Sequence, residues 1–363
     1  GSNGRECIMN DSTFSWHRLR DSQLFWPLLA LALIMLFNLI FTPNFYNIEI
    51  KDGHLSGFLI DILNRGSILM LVAIGMTMVI ATGGVDLSVG AVVAISAATA
   101  TVLINPALAN QLISSEELIQ DVTRTPLWLC VLAALTVSTI CGIWNGLLVS
   151  RARIQPMVAT LVLMVAGRGI AQLITNGQII TVYYSPYFFI GNGYLLGLPF
   201  SLYIVAIVFL IVWLFARRTA FGLFVESVGI NARSSFFSGI NEQNIKLIVY
   251  TLCGFCAGVA GLIYSSNVKS ADANNAGLDL ELDAILAVVI GGTLMSGGRF
   301  SLLASVIGAL FIQSVTTTMY AVGVPAMAAM AIKGVVVLIV VLLYSDQTKN
   351  VLTHMIERVG VGS

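Results

Sequence analysis

The sequence predicts an all-α, polytopic membrane protein with about ten transmembrane helices and both termini in the cytoplasm. Three observations predict it. The 363-residue chain is 57% hydrophobic and only 10% charged, whereas soluble domains carry about 25% charged residues. Its apolar residues fall in runs close to the length, about 20 residues, that crosses a bilayer. Lys and Arg gather in alternate connections between those runs. Lys and Arg together number 18, as do Asp and Glu, so net charge points to no nucleic acid or other polyanion as partner.

Ten runs qualify in order: 24–42, 59–81, 87–104, 127–150, 157–175, 201–216, 246–266, 281–295, 299–320 and 327–344. The opening GSNGREC reads as a cloning scar ahead of Met9. Arg18 and Arg20 precede the first run, which lacks a small-residue cleavage site and so reads as a retained helix rather than a signal peptide. Residues 1–23 then form a cytoplasmic segment and 24–344 a membrane domain. The hydrophilic connection 217–245 is cytoplasmic, and 345–363 form a cytoplasmic tail. In this arrangement the inner connections hold Arg18, Arg20, Arg151, Arg153, Arg217, Arg218, Arg233, Arg299, Lys349 and Arg358. The outer ones hold Lys51, Arg124 and Lys269 against Asp52, Glu116, Glu117, Asp121, Asp272 and Asp279. That asymmetry sets the orientation.

Chemistry-bearing motifs are sparse. The cysteines, at positions 7, 130, 141, 253 and 256, are odd in number and mostly inside apolar runs, which argues against a disulfide framework. Cys253 and Cys256 have C-x-x-C spacing, but no second pair or histidine lies near. Gly254 and Gly258 in the same stretch form G-x-x-x-G, a close-packing signature. Neither a P-loop, an H-E-x-x-H nor a nucleophile–base set occurs, and His17, His54 and His354 are scattered. The chain is therefore expected to be no enzyme, to bind no metal and to need no cofactor of its own.

The polar residues inside the apolar runs are the candidates for function. In ATGGVDLSVGAVV, Gly83 and Gly84 break a helix and Asp86 stands before the next one, where a carboxylate can accept free N–H groups. Contact with a substrate or a moving partner is the alternative. The stretch MSGGRFSLLASVIGAL echoes it, as in transporters built from related halves, although glycine pairs are common at turns. Arg168 lies well inside the fifth run, and an intramembrane cation is a functional candidate with a partner to be found. Asp61, Glu281 and Asp283 are the carboxylates considered, with Gln172 one turn further on the same face. A structural ion pair is the competing account. Asn64, Asn145, Asn274 and Asn275 complete the pathway candidates, since amides both donate to and accept from hydroxyl groups. Each alone is equally a cap or loop group.

In the 217–245 connection, Asn231 can cap a short helix ended by Gly239, with Phe236 and Phe237 projecting from it. Such a helix docks into a partner's groove or rests on the membrane surface. The coupling candidates are Gly222, Glu226, Gly229, Asn231, Arg233, Phe236, Phe237, Ser238, Gly239 and Ile240.

Four stretches together, ATGGVDLSVGAVVAI, IQPMVATLVLMVAGRGIAQLITNGQ, GLFVESVGINARSSFFSGIN and ADANNAGLDLELDAILAVVIGGTLMSGGRF, resemble the permease subunits of bacterial ribose-type monosaccharide ATP-binding-cassette importers. Their wording is most similar to permeases of the galactofuranose type. The resemblance covers roughly 20–345. It implies a multi-pass protein of the bacterial inner membrane, paired with a second permease, identical or a sibling. It also implies a cytoplasmic ATPase that hydrolyses the ATP and a periplasmic sugar-binding protein. In that family a G-x-N-x-x-A-A-x-x-S-G-I loop contacts the ATPase. Gly229, Asn231, Ser238, Gly239 and Ile240 match it, while Ser234 and Ser235 replace the alanine pair. The rival expectation is a stand-alone ion-coupled secondary transporter of a small polar solute, with Arg168 and Asp86 as relay or gating groups.

Overall fold

The computed structural model describes residues 24–43, 45–51, 54–105, 125–325, 328, 331–336 and 338. The expectations for 1–23 (with Cys7, Met9, His17, Arg18 and Arg20), Asp52, Glu116, Glu117, Asp121, Arg124, most of 327–344, and 345–363 (with Lys349, His354 and Arg358) lie outside the described residues.

The chain is mostly helical. In order run α1 (Phe25–Phe41), strands β1 (Glu49–Lys51) and β2 (His54–Ser56), α2 (Phe58–Ala81), α3 (Val89–Ile104), α4 (Leu127–Ser150) and α5 (Pro156–Ile174). Then follow β3 (Ile180–Thr181), α6 (Ser185–Asn192), β4 (Tyr194–Leu195), β5 (Leu198–Pro199), α7 (Phe200–Arg218), α8 (Phe221–Ile230) and α9 (Ala232–Phe237). Last come α10 (Glu242–Val268), β6 (Ser270–Ala271), α11 (Leu280–Ile290) and α12 (Leu302–Ala321). Among the described residues, α2, α4, α5, α7, α10 and α12 are long and apolar enough to cross a membrane. β1 pairs with β2, β4 with β5 and β3 with β6, all antiparallel, and none of these short pairs is foreseen by hydropathy.

Local chemistry sets the helix ends. Pro156 opens α5, where its missing N–H costs nothing. The Asn241 and Ser301 side chains accept N–H groups of Asn244 and Ala304 at the starts of α10 and α12. Gly83, at φ +76°, stops α2. Arg217 and Arg218 sit in the last turn of α7, where cations suit the helix dipole.

The bundle is organised around α10, which packs on α4, α2 and α3. Small residues make these contacts close. A Cβ on Gly75 of α2 would lie 2.9 Å from the Cys253 Cα, and one on Gly254 would lie 2.8 Å from the Gly142 Cα of α4. The Ser96 hydroxyl donates to the Gly258 carbonyl at 2.7 Å. The C-x-x-C and G-x-x-x-G positions are thus packing seams, as the sequence suggests. α2, α10 and α12 are mostly buried, whereas α4, α5 and α7 turn most of their surface outward.

One predicted span needs correction. The run 281–295 is not a crossing helix. Its helix, α11, has 11 residues, about 16 Å of rise against a hydrocarbon core of about 30 Å. Hydropathy reads the following VVIGGTLM as a continuation, but Gly291 and Gly292 turn the chain there.

Candidate functional site

Two polar centres flank the first turn of the short helix α3. At one of them three turns meet almost without side chains. The Gly298 N–H donates to the Ala81 carbonyl at 2.9 Å, joining the turn after α11 to the turn after α2. A Cβ on Gly297 (φ +89°) would lie 2.8 Å from the Gly83 N and 2.9 Å from the Gly229 carbonyl oxygen. A Cβ on Gly229 would strike the backbone of Ala81 and Gly298. The two echoing glycine stretches therefore sit face to face, and Gly229 at the end of α8 is wedged against both. Gly229, a coupling candidate, is thus also a close contact within the bundle.

Asp86 adjoins this crossing and is 1% exposed. Its Oδ1 accepts the Ser88 N–H at 3.0 Å, the Ser88 hydroxyl at 2.7 Å and the Asn145 amide at 3.3 Å. The same amide reaches the Ser88 hydroxyl at 2.8 Å. The capping expectation is met only in part. Asp86 takes one N–H of the residue before α3, and otherwise ties that junction to α4. Tyr250 of α10 secures the neighbouring Val85 carbonyl at 3.2 Å.

At the other centre, residues 272–281 dip into the bundle as far as Gly90 of α3. Nη1 of Arg168 donates to the carbonyls of Ala273 at 3.3 Å, Asn274 at 3.4 Å and Ala276. Arg168 stands about 9 Å from the Ile174 end of α5 at about 1.5 Å per residue, so the non-helical segment descends to that depth. A Cβ on Gly277 (φ +63°) would lie 2.7 Å from the Gly90 carbonyl oxygen in the first turn of α3. Non-helical backbone inside a membrane domain persists only where protein or a water-filled path satisfies it, and Arg168 supplies that satisfaction here. The Gln172 amide donates to the Asn274 side chain. Asp272 accepts the N–H groups of Asn274 and Asn275 and the Asn275 amide. Desolvation pushes the Asp272 carboxyl up. The hydrogen bonds from Asn275 and Asn274 and the nearby Arg168 charge outweigh that and hold it below the usual range.

Arg168 forms no ion pair with the carboxylates expected for it; its hydrogen bonds go to backbone carbonyls, and Glu281 is the foremost of the charges acting on it. Asp283 pairs with Lys333 at 2.8 Å instead, and Asp61 is exposed. Glu281, 3% exposed in the first turn of α11, keeps its Oε2 buried and without a hydrogen-bond partner. Asn64 lies apart, its Oδ1 accepting the Ser201 hydroxyl at 2.7 Å. Lys333 is an ionisable residue that the sequence reading passed over. Its place inside the apolar run 327–344 was the available signal.

In the 217–245 connection, the Asn231 side chain caps α9 by accepting the Ser234 N–H at 3.0 Å, and Gly239 (φ +83°) follows the helix. Phe236 and Phe237 are 65% and 81% exposed, and Arg233 is exposed beside them. Ser238 and Ile240 close the turn by backbone bonds to Ser234 and Ser235. Gly222 is buried against the end of α7 and Glu226 is half-buried. No group of three or more metal-ligating side chains occurs among the described residues.

The family described as branched-chain amino acid transport system, permease component, matches residues 58–341. The galactofuranose transporter permease protein YtfT of Escherichia coli (strain K12) is 46% identical over 327 residues, covering 89% of this chain and 91% of that protein. The fructose import permease protein FruF of Bifidobacterium longum is 37% identical, covering 93% and 92%. The ribose import permease protein RbsC of Escherichia coli (strain K12) is 35% identical, covering 86% and 91%. No solved structure matches the chain.

Proposed function

Since the chain belongs to this family of transport-system permease components, we propose that it is the membrane subunit of an ATP-binding-cassette importer for a monosaccharide, with galactofuranose-like sugars first. The observation that carries this is the 46% identity to YtfT along nine-tenths of both chains. The family's description names branched-chain amino acids, but the relatives matched end to end carry sugar names. The site chemistry favours the sugar. Gln172, Asn274 and Asn275 are exposed amides that suit hydroxyl groups. Nη1 of Arg168 is taken up by carbonyls and is not open to a substrate carboxylate. The ion-coupled alternative finds no support among these relatives.

In this reading ten crossings, the eighth made by the dipping segment 272–281 and the half-length α11 together, put both termini in the cytoplasm of a bacterium's inner membrane, and 331–336 are helical turns of the tenth. Residues 24–344 form the permease domain, 1–23 and 345–363 its cytoplasmic ends. A periplasmic binding protein delivers sugar to the mouth formed by 272–281. Polar side chains facing lipid are costly, so the exposed amides there face water or a second permease subunit. Sugar passes between the two permeases along Arg168, Gln172, Asn274, Asn275, Glu281 and Asp283. Asn64, Asp86 and Asn145 position the helices that line the path. ATP binding on a separate cytoplasmic subunit moves α8 and α9, and Gly229 passes that motion to the turns after α2 and α11 at once. The coupling works because ATP binds the two permease states unequally.

The test is uptake by proteoliposomes holding the permease, its ATPase and its binding protein. ATP-dependent accumulation of galactofuranose over ribose, fructose and leucine, persisting when the proton gradient is collapsed, is expected. Uptake of leucine, or uptake that needs the gradient and not ATP, would refute the reading.

A further inference from the structure

We propose that the turn between α4 and α5 forms, with α9, a single basic, aromatic-rimmed groove that receives an acidic segment of the ATPase subunit, with Arg153 as its anchor. The proposal rests on the ATP-coupled reading and goes beyond it, because it assigns contact to a turn outside the 217–245 connection and fixes the chemistry of the surface that fits.

The groove has a volume of about 1030 Å³ and runs between Ser150–Pro156 on one side and Ala232–Lys246 on the other. That is at the upper end of the roughly 300–1,000 Å³ of small-ligand pockets, room enough for a short polypeptide segment. Its apolar lining includes Ile154, Pro156, Phe236, Phe237 and Ile240. Phe237, at 81% exposed, is among the most exposed large apolar side chains described. Large aromatics beside a concave surface are the usual anchors of protein contacts.

Charge identifies the occupant. Four ionisable side chains line the groove: Arg153, Arg233, Glu242 and Lys246. Glu242 and Lys246 pair with one another at 3.4 Å. Arg153 and Arg233 are exposed, and neither has an ion pair with another described residue, so the groove keeps two uncompensated guanidiniums. A guanidinium fork matches a carboxylate by two parallel bonds. Two further features belong to its lining. Ser150 keeps a buried hydroxyl without a hydrogen-bond partner among the described residues, a polar group whose bonding the chain leaves open. Arg153 is held at φ +54°, in the left-handed region where glycine is the usual residue, as the N–H groups of Arg151, Ala152 and Ile154 fold back on Leu147 and Leu148. The chain adopts a costly backbone there with a long cationic side chain, and not with glycine.

The experiment titrates the permease in nanodiscs with the ATPase that copurifies with it, at about 50 mM and about 500 mM salt, since salt screens exposed charge. Arg153→Glu should weaken binding at least about tenfold at low salt and much less at high salt, as expected for a charge on a contact rim. Arg153→Lys should lose clearly less than Arg153→Glu, since it keeps the charge but not the planar fork, and a loss as large as that of Arg153→Glu would point to a disturbed fold. Phe237→Ala should weaken binding similarly at both salts. Wild-type affinity for Arg153→Glu at low salt would overturn the proposal. So would a loss seen only with phosphatidylglycerol in the disc, which would make the groove a lipid headgroup site. If no ATPase copurifies with the wild type, the ATP-coupled reading itself fails and the proposal falls with it.

Discussion

Replacing Arg168 by alanine should release the segment 272–281 without preventing insertion. The cost follows from what the guanidinium holds. It serves three carbonyls, of Ala273, Asn274 and Ala276. Asn274 is exposed, so water or a neighbour can replace the arginine there. Ala273 and Ala276 are 4% and 0% exposed, and water cannot reach their carbonyls while the segment stays in place. A buried polar group left unpaired costs about 1–3 kcal/mol, so two cost about 2–6 kcal/mol. Even the lower figure shifts a local opening equilibrium by about 30-fold. The assay is the reaction of Ala276→Cys with a membrane-impermeant maleimide, in a background without the native cysteines. Labelling should be slow with Arg168 present and at least about tenfold faster in Arg168→Ala, with sugar uptake falling in parallel. Lysine should restore protection only in part, because its ammonium is a compact donor that lacks the planar fork. Equal labelling rates with and without Arg168, together with normal uptake, would show that the arginine does not hold the segment.

The remaining predictions concern the other contacts. Gly297→Ala should destabilise by about 2–5 kcal/mol, from a backbone angle unfavourable to a side chain and overpacking against Gly83 and Gly229. Gly239→Ala, at φ +83° with open space around it, should lose only the backbone part. Equal melting temperatures for the two would refute the tight crossing. Asp86→Asn should stay within about 1–2 kcal/mol of wild type because an amide oxygen still accepts, whereas Asp86→Leu should lose more by leaving Ser88 and Asn145 donors unpaired; equal and complete loss in both would indicate a required charge. Lys333→Ala should cost about 1–3 kcal/mol, below the figure for a fully buried pair because this one is one-fifth exposed. A double-mutant cycle with Asp283→Asn should show coupling, and simple additivity would deny the pair. Asp272 has a lowered folded-state pKa, so its support of the 272–281 segment is complete above the ordinary carboxyl value of about 4 and disappears as pH falls below it. Protection of Ala276→Cys should therefore be flat between pH 8 and pH 5, and a steep loss in that window would assign it to another group.

Much of the bundle was legible because a membrane span is written as one long apolar run. The structure places α2, α4 and α5 within a residue of the runs 59–81, 127–150 and 157–175. Hydropathy fails at α11 because it records composition and not backbone direction, so a half-length helix followed by an apolar turn looks like a span. The cap at Asn231 was legible, since a local side chain–backbone bond depends only on spacing. The surroundings of Arg168 were not. Carbonyls belong to every residue, and no pattern of side chains announces that a distant loop will present them. Gly229 teaches the same lesson: its neighbours at Ala81 and Gly298 lie far away along the chain, and a glycine records only that room is needed, never by whom.

The length of α10 has a consequence for the lipid. Its 27 residues rise about 40 Å, about 10 Å more than a typical hydrocarbon core. Tilt absorbs some of that excess. The rest carries the Glu242–Lys246 turn, and the groove it borders, clear of the acyl chains. A thicker bilayer would draw that charged turn toward hydrocarbon and straighten the helix, while a thinner one would lift it further out. Uptake by this permease should therefore depend on acyl-chain length, and the membrane itself becomes a setting on how far the groove stands into water.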